Sequence, residues 1–297
     1  MARTSLYGVL LATFAALLLS PDALFLRLSD MDGMQMLGWR GLCMGTLFLS
    51  AWALTSRTRR ADMATLAAPA GITVILAQFC NASLFPNAIA LAPVAVVLIA
   101  IATVPVIAAL LSLVIYGERT PRATWITTLL VLAGIALAVS GEGAAPLAPR
   151  AALGALFGLG VAFTLALNFV TLRHAPQVPI LLAVGLGGLM AGTLGLSLTG
   201  VDRMTDGSVP AILVTALLII PVSFFLLSVA SRHTTAANVS LLMLLETVLG
   251  PIWVWLGTGE APTPRMLLGG AIVVTTLTVY LIVSDRQARR RRRAALA

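Results

Sequence analysis

Long apolar stretches dominate the chain and constrain its fold more than any other feature. Each is about as long as the roughly 20 residues that a helix needs to cross a bilayer. Between them lie short segments with charged residues, glycine or proline. Hydrophobic residues make up 59% of the chain and charged residues 10%, whereas soluble domains carry about 25% charged residues. The sequence therefore predicts an all-α integral membrane protein and excludes a soluble domain, a disordered chain and a nucleic-acid binder.

Charged and turn-forming residues divide the apolar stretches into ten predicted transmembrane helices. The predicted spans are Leu6–Leu28, Met34–Leu54, Ala67–Leu84, Ala88–Tyr116, Ala123–Ser140, Ala152–Leu172, Pro179–Leu198, Val209–Ala230, Thr235–Gly257 and Met266–Val283. A turn at Phe85-Pro86-Asn87 separates the third span from the fourth, because proline disfavours helix in the residue before it. The first stretch is interpreted as a span and not as a signal peptide, because apolar character resumes at Leu24 after a poor cleavage site.

The distribution of arginine orients the chain in the membrane. All nineteen basic residues are arginines, and ten spans place both termini on the same side. That side holds fourteen arginines, including the run Arg289–Arg293, against five elsewhere. By the positive-inside rule, we expect both termini to be cytoplasmic. The Arg289–Arg293 run is interpreted as a topology anchor, with binding to anionic membrane lipids as the alternative.

The chain contains an internal repeat. Gly117-Glu118 follows the fourth predicted span and Gly259-Glu260 follows the ninth, and a Pro-Arg pair comes shortly after each. Each half holds five spans, so the second half enters the membrane from the opposite side. Such inverted-topology repeats are typical of transporters, whose substrate site lies near the bilayer midplane between the halves. The predicted units are a first five-helix repeat over residues 1–145, a second over 146–285 and a basic cytoplasmic tail over 286–297.

These features resemble the drug/metabolite transporter superfamily, EamA type. The resemblance rests on the 5+5 repeat, the turn Gly117–Arg119 and its partner Gly259-Glu260, Arg40 early in the second span and Leu245-Glu246 in the ninth. Within the superfamily, the chain is similar to bacterial exporters of aromatic amino acids. The resemblance implies a carrier in the bacterial cytoplasmic (inner) membrane that exports small metabolites by alternating access.

Three ionisable residues inside the predicted spans need a physical reason, because each costs about 2.5–3.5 kcal/mol at a helix centre. Glu246 lies near the midplane and could meet a substrate ammonium or take a proton; a structural carboxyl between helices is the alternative. Asp22 and Arg40 lie at equal depth, roughly 9 Å below one surface. They are predicted to form an ion pair or gate, either as a packing pair alone or with Arg40 available to a substrate carboxylate.

Neutral residues complete the predicted substrate site. Four amides lie in the third, sixth and ninth spans, and four aromatic residues could supply its walls. The amides are Gln78, Asn81, Asn168 and Asn238, and the aromatic residues are Trp39, Phe79, Phe163 and Phe224. The alternatives are amides that only join helices and aromatic rings that face lipid or core. Pro105, Pro221 and Pro251 are candidate hinges for alternating access, with static kinks as the alternative.

The sequence favours a carrier over an enzyme or a channel. The two histidines lie in predicted loops, and no nucleotide-binding or metalloprotease motif is present. We expect no cofactor, no metal and no nucleic-acid partner. A carboxylate, one arginine, amides and apolar walls suit a zwitterion, so the expected substrates are aromatic and other neutral amino acids. Lipophilic cations or another metabolite remain the alternative; proton coupling through Glu246 and the oligomeric state stay open, with a monomer as the working expectation.

Overall fold

The computed structural model describes residues 2–92, 94–139, 149–259 and 264–294, and within these ranges the chain forms helices and no strands. The α-helices are α1 Ala2–Leu19, α2 Asp22–Ser29, α3 Gly33–Thr55, α4 Arg59–Leu66, α5 Pro69–Leu91, α6 Val94–Ile101, α7 Val104–Tyr116, α8 Arg122–Val139, α9 Pro149–His174, α10 Ile180–Thr199, α11 Val209–Leu213, α12 Ile220–His233, α13 Ala236–Met243, α14 Leu245–Thr258 and α15 Pro264–Ala294. Val201–Arg203 forms a 3₁₀ turn, and Val214–Ile219 has π-helical geometry.

Seven helical segments are long and apolar enough to cross a membrane. They are Leu6–Ser29, Pro69–Leu91, Val96–Tyr116, Ala152–His174, Ile180–Thr199, Val209–His233 and Ala236–Gly257. Two shorter apolar segments, Arg122–Leu137 and Leu267–Tyr280, and the 23-residue helix α3 lie where the other three spans are predicted. The protein is therefore an all-helical, multi-pass membrane protein by length and composition of its helices, and the count of ten spans stays a prediction.

The predicted fourth and ninth spans are interrupted at matching positions. Ala102 and Thr103 separate α6 from α7, and Leu244 separates α13 from α14. Gly117 and Gly259 follow α7 and α14 with left-handed φ angles of 67° and 78°, a conformation that glycine adopts without steric cost. Ala102 and Leu244 each lie fifteen residues before that glycine. The backbone thus repeats the same interruption and the same helix end, which supports the internal repeat.

The predicted turn at Phe85-Pro86-Asn87 is wrong. Helix α5 continues through Pro86 to Leu91, and the chain leaves the helix at Ala92. Proline removes one backbone hydrogen bond, but such breaks are tolerated in membrane helices when neighbouring groups satisfy the backbone. The hydrogen bond that Pro86 cannot make is the one to the Ala82 carbonyl oxygen, and the next carbonyl oxygen, of Ser83, accepts from the Asn87 side chain at 2.7 Å. The fourth predicted span therefore begins later, at Val94 and not at Ala88.

The candidate hinge prolines occupy two kinds of position. Pro105 and Pro221 are the second residues of α7 and α12, directly after the Ala102–Thr103 interruption and the π-helical segment. Near the first turn of a helix, proline needs no backbone partner. Pro251 lies within α14. Irregular backbone therefore precedes two of the three prolines, and the hinge role itself stays a prediction.

Glycines hold α3 against α10, the most extensive helix pair in the molecule. A Cβ on Gly41 would overlap backbone atoms of Gly192, and one on Gly45 would lie 2.6 Å from the Leu189 nitrogen. Small residues at such spacing let helix backbones approach closely. Gly41 and Gly45 on α3, and Gly188 and Gly192 on α10, have the G-x-x-x-G spacing that predicts close helix packing. These pairs serve packing inside the chain, and they join the first predicted half to the second.

The largest buried apolar cluster also contains residues from both predicted halves, among them Val74, Phe169 and Leu242. The two halves therefore share one core. The predicted boundary at 145/146 and the Glu260 turn lie outside the described residues. At the other end of the chain, the helical backbone of α15 runs through Arg289–Arg293 as far as Ala294.

The helices define two opposite ends of the bundle. Helix α10 has 20 residues, which span about 30 Å at 1.5 Å per residue. It connects the α9–α10 linker to the 3₁₀ turn Val201–Arg203. We call the first side the Glu118 end and the second the Arg203 end. The arginine distribution predicts that the Glu118 end is cytoplasmic.

Candidate functional site

A cavity lies inside the helix bundle and is lined by both predicted halves. Its empty volume is about 800 Å³, the space at its opening included. The lining comes from α1, α2, α3, α5, α6, α9, α10, α12, α13 and α14. Six of the residues that the sequence singles out line it: Asp22, Arg40, Gln78, Asn81, Phe224 and Glu246. Most of the remaining wall is apolar.

Asp22 and Arg40 form the predicted ion pair. Asp22 is the first residue of α2, just after the Ser20–Pro21 interruption, and Arg40 projects from α3. Arg40 Nη2 donates to Asp22 Oδ2 at 3.0 Å, and the side chains are 12% and 1% exposed. The guanidinium carbon also lies 5.2 Å from the ring centre of Phe85, within cation–π range.

The ion pair leaves hydrogen-bonding capacity unused. Arg40 Nη1 and Asp22 Oδ1 are buried, and neither has a hydrogen-bond partner among the described residues. An unsatisfied buried donor on a charged group is costly, because it loses water without a replacement. Since both residues line the cavity, a bound water or ligand group is the natural partner for the Arg40 donor.

Glu246 lies in the same cavity, directly after the interruption at Leu244. It is the second residue of α14 and only 9% exposed. Within the described part of the chain, no hydrogen-bond or ion-pair partner contacts its carboxyl group. A buried carboxyl group with cavity on one side can accept from a donor that enters the cavity.

The amides form a second polar group in the cavity wall. Gln78 and Asn81 lie one turn apart on α5, and Asn168 on α9 donates through Nδ2 to Gln78 Oε1 at 3.3 Å. Asn81 Nδ2 and Asn168 Oδ1 are buried without a hydrogen-bond partner among the described residues. Asn168 does not line the cavity itself, so it supports Gln78 from behind.

Four predicted site residues lie elsewhere. Asn238 is not among the cavity-lining residues; it accepts from Tyr280 at 2.6 Å and donates to Thr234 at 3.1 Å, which fits the alternative that its amide joins helices. Trp39 donates to the Met204 carbonyl oxygen at the Arg203 end. Two further aromatic predictions, Phe163, 47% exposed, and Phe79, half-buried, are not among the cavity-lining residues.

Sequence reasoning missed Phe85 and Thr215. The predicted turn at Phe85-Pro86-Asn87 places Phe85 outside a helix, whereas it lies on α5 beside Arg40. Thr215 lies in the π-helical segment near the Asp22 carboxyl group, and its buried hydroxyl group has no hydrogen-bond partner among the described residues. A π-helical bulge is common at functional sites, but it leaves no signature in a single sequence that predicts its position.

The Glu118 end is closed by charged groups. Arg173, at the end of α9, donates Nη2 to Glu118 Oε1 at 2.6 Å and Nε to Glu118 Oε2 at 2.9 Å. Its Nη1 donates to the Thr234 carbonyl oxygen at 2.6 Å. These hydrogen bonds hold the pKa of Glu118 below its ordinary value of 4.5, although partial burial opposes the shift. One arginine therefore joins the α7–α8 linker to α9 and to the α12–α13 linker.

The Arg203 end is closed mainly by hydrogen bonds to backbone. Gln35 Nε2 donates to the carbonyl oxygens of Arg203 at 2.6 Å and Asp206 at 3.0 Å. Ser208 donates its backbone N–H to the Ser29 carbonyl oxygen at 2.7 Å. The α10–α11 linker therefore packs directly against the α2–α3 corner.

No group of three or more His, Cys, Asp or Glu side chains within the described ranges could hold a metal ion. The site instead combines one carboxylate, one ion pair and amides in an apolar cavity between pseudo-repeated helices. That combination provides a pocket for a small molecule inside a bundle of helices that are long and apolar enough to cross a membrane.

Comparisons with known proteins agree with this interpretation. Residues 6–140 match the EamA-like transporter family, so the resemblance of the sequence to EamA-type transporters is confirmed over these residues. A crystal structure of another protein superposes with a TM-score of 0.74, covering 94% of this chain and 98% of that chain at 20% identity. At that identity the likeness establishes the fold alone. None of the curated proteins matches the chain. The family match indicates a membrane transporter of small molecules.

Proposed function

We propose that the protein is a secondary transporter that exports aromatic and other neutral amino acids by alternating access. The observation that carries the proposal is that one cavity holds both the donor Arg40 Nη1 and the carboxyl group of Glu246, and that neither has a hydrogen-bond partner among the described residues. A zwitterion offers a carboxylate to the first and an ammonium to the second. The Arg40 guanidinium is a well matched partner for the substrate carboxylate, and the Glu246 carboxylate is a well matched partner for the substrate ammonium.

The remaining wall suits an uncharged side chain. Leu98, Ile101, Val161, Leu165 and Phe224 line the cavity and offer no charge. Transfer of an aromatic or aliphatic side chain to such a wall is favourable by about 25 cal/mol per Å² of apolar surface removed from water. The unpartnered Nδ2 of Asn81 adds a neutral donor to the wall.

A second candidate is the export of lipophilic cations, and one observation favours it. Asp22 already accepts from Arg40, so the ion pair has no net charge. Glu246 is then the one unpaired carboxyl group among the described cavity-lining residues. An apolar cavity with one carboxylate suits an organic cation that carries no carboxylate of its own.

Liposomes reconstituted with the full chain separate the two candidates. They are loaded with labelled phenylalanine, leucine, a sugar or a cationic dye, and efflux is measured for the parent and for Arg40→Gln. We expect amino-acid efflux from the parent and a loss of at least tenfold in Arg40→Gln. Arg203→Gln, the same change at an exposed position outside the cavity, is the matched control and should transport normally.

Dye efflux that survives Arg40→Gln, without amino-acid efflux from the parent, would establish the cation candidate instead. The Asp22→Asn/Arg40→Gln double variant tests whether the pair acts on substrate at all. If it folds and transports amino acids as the parent does, the pair serves packing alone and the zwitterion proposal is wrong.

Proton coupling through Glu246 belongs to the same proposal. If Glu246 carries a proton during the cycle, Glu246→Gln should abolish gradient-driven efflux but retain exchange of labelled for unlabelled amino acid. If Glu246 binds the substrate ammonium, both activities should be lost. We place the protein in the bacterial cytoplasmic membrane with cytoplasmic termini, on the arginine distribution and the family resemblance, and work with a monomer.

A further inference from the structure

His174 occupies an unusual position at the Glu118 end. Its ring stacks on Tyr116 with 3.8 Å between ring centres and 2° between ring planes. Its Nδ1 lies 2.9 Å from the Val170 carbonyl oxygen, and its Nε2 lies 3.3 Å from Glu118 Oε2. The imidazole is therefore fixed on three sides, by an aromatic face, a carbonyl oxygen and a carboxylate.

The two contacts of the ring nitrogens favour one protonation state. A carbonyl oxygen only accepts hydrogen bonds, so Nδ1 must carry a proton. The carboxylate of Glu118 also accepts only, so an attractive contact requires a proton on Nε2 as well. A neutral ring with its proton on Nδ1 would direct the Nε2 lone pair at the carboxylate. The observed arrangement suits the imidazolium form.

Other charged groups nearby leave Glu118 as the partner of this ring. Arg173, on the same helix, is engaged with the Glu118 carboxylate and the Thr234 carbonyl oxygen. On α12, the half-buried Arg232 donates to the Val178 carbonyl oxygen, and the His233 ring meets the edge of Tyr7. Arg119 and Arg122, in the loop and at the start of α8, are exposed. The Glu118 carboxylate thus faces two cationic partners from α9.

We propose that His174 is a proton sensor that stabilises the closed state of the Glu118 end. Protonated His174 and Arg173 both form ion pairs with Glu118, and these ion pairs hold the predicted first half against the second. When His174 is neutral, only the ion pair between Arg173 and Glu118 remains. This inference rests on the proposed function only in that a carrier must open at this end.

The direction of the effect follows from the sign of the charge. Protonation occurs preferentially in the closed state, where the carboxylate lies next to Nε2. The stabilisation is therefore present at low pH and is lost as the pH rises, because histidine is the side chain that changes charge between about pH 5 and 8. Acidification on the predicted cytoplasmic side should close this end, and alkalinisation should let it open.

Spin-label distances across the Glu118 end test the proposal without any substrate. Ala123, at the start of α8, and Gln177, in the α9–α10 linker, are exposed residues from the two predicted halves, and each is replaced by cysteine in a chain that lacks Cys43 and Cys80. Pulsed dipolar spectroscopy then gives the ratio of short to long distances in lipid at pH 5.5, 6.5 and 8.0. We expect that ratio to fall about two- to fivefold between the lowest and the highest pH, the range of a partly exposed ion pair.

Three variants make the result specific. His174→Gln should remove the pH response, and Glu118→Gln should remove it and give the largest long-distance population, which shows that the labels report opening. His233→Gln changes the other histidine of the same end and should keep the response of the parent. A parent ratio that is independent of pH, or an unchanged response in His174→Gln, overturns the proposal. Because no substrate is present, this outcome is independent of whether the protein carries amino acids.

Discussion

The two ends of the cavity are closed by different kinds of interaction. At the Glu118 end, one half-buried carboxylate holds an arginine in bidentate fashion and contacts a histidine. At the Arg203 end, buried neutral donors reach backbone carbonyl oxygens, and the Arg203–Asp32 ion pair is exposed, at 64% and 44%. Charge–charge contacts respond to pH and partner charge, whereas neutral hydrogen bonds to backbone do not. The stability of the Glu118 end should therefore depend on pH, whereas the stability of the Arg203 end should not.

The largest effect is expected from Arg173→Met. The change leaves Glu118 half-buried without its bidentate partner and removes the donor to the Thr234 carbonyl oxygen. Hydrogen bonds to charged groups contribute about 1.5–3 kcal/mol, so we expect a loss of about 2–3 kcal/mol in unfolding free energy. Thermal unfolding in detergent measures it. Arg173→Lys keeps the charge but not the bidentate geometry and should lie in between; equal stability of Met and Lys variants would contradict the bidentate model.

Acid should reproduce part of that loss at the same end. The folded-state pKa of Glu118 is lowered, chiefly by hydrogen bonds from Arg173, so its contribution is fully present above the ordinary value of 4.5. It is lost as the pH falls through the lower folded-state pKa. Melting temperatures of the parent and of Glu118→Gln, measured from pH 3.5 to 7, should differ at neutral pH and converge in acid. Parallel curves across the whole range would show that Glu118 contributes no charge-dependent stability.

At the Arg203 end, Gln35→Leu should give a smaller loss without pH dependence. The buried amide of Gln35 bonds the Arg203 and Asp206 carbonyl oxygens and accepts from the Asp32 backbone N–H at 2.7 Å. A typical net hydrogen bond contributes about 0.5–1.5 kcal/mol, so we expect a loss of about 1–2 kcal/mol. Melting temperatures at pH 5 and pH 8 should fall equally. A loss that depends on pH would contradict the neutral character of this end.

Much of this arrangement is predictable from sequence where local rules apply. Equal depth on antiparallel helices predicts the Asp22–Arg40 ion pair, and that ion pair is present. G-x-x-x-G spacing predicts close helix packing, and Gly41 meets Gly192. In both cases the prediction rests on a property that each helix shows by itself: the rise per residue gives the depth of a charge, and the lack of a Cβ lets any neighbouring helix approach.

The wrong or missing predictions concern contacts between distant segments. Pro86 looks like a turn residue, but α5 packs inside the bundle and stays helical around it. Asn238 shares a predicted span with Glu246, yet its partners Thr124 and Tyr280 come from other helices. The Glu118–Arg173 ion pair links residues 55 positions apart, and one sequence gives no measure of that proximity. Tertiary packing decides such contacts, and local pattern does not.

The smallest effect is expected from Arg203→Gln, and it sharpens the comparison most directly. Arg203 and Asp32 form an ion pair of the same chemical type as Arg173 and Glu118, but both partners are exposed to water. Exposed pairs contribute about 0–1 kcal/mol, because water screens the charges and holding two long side chains costs entropy. We expect a change within about 0.5 kcal/mol in thermal unfolding, since the Arg203 carbonyl oxygen that Gln35 contacts is unaffected by the substitution. If Arg203→Gln destabilised the protein as much as Arg173→Met, charge would close both ends, and the contrast between them would not hold.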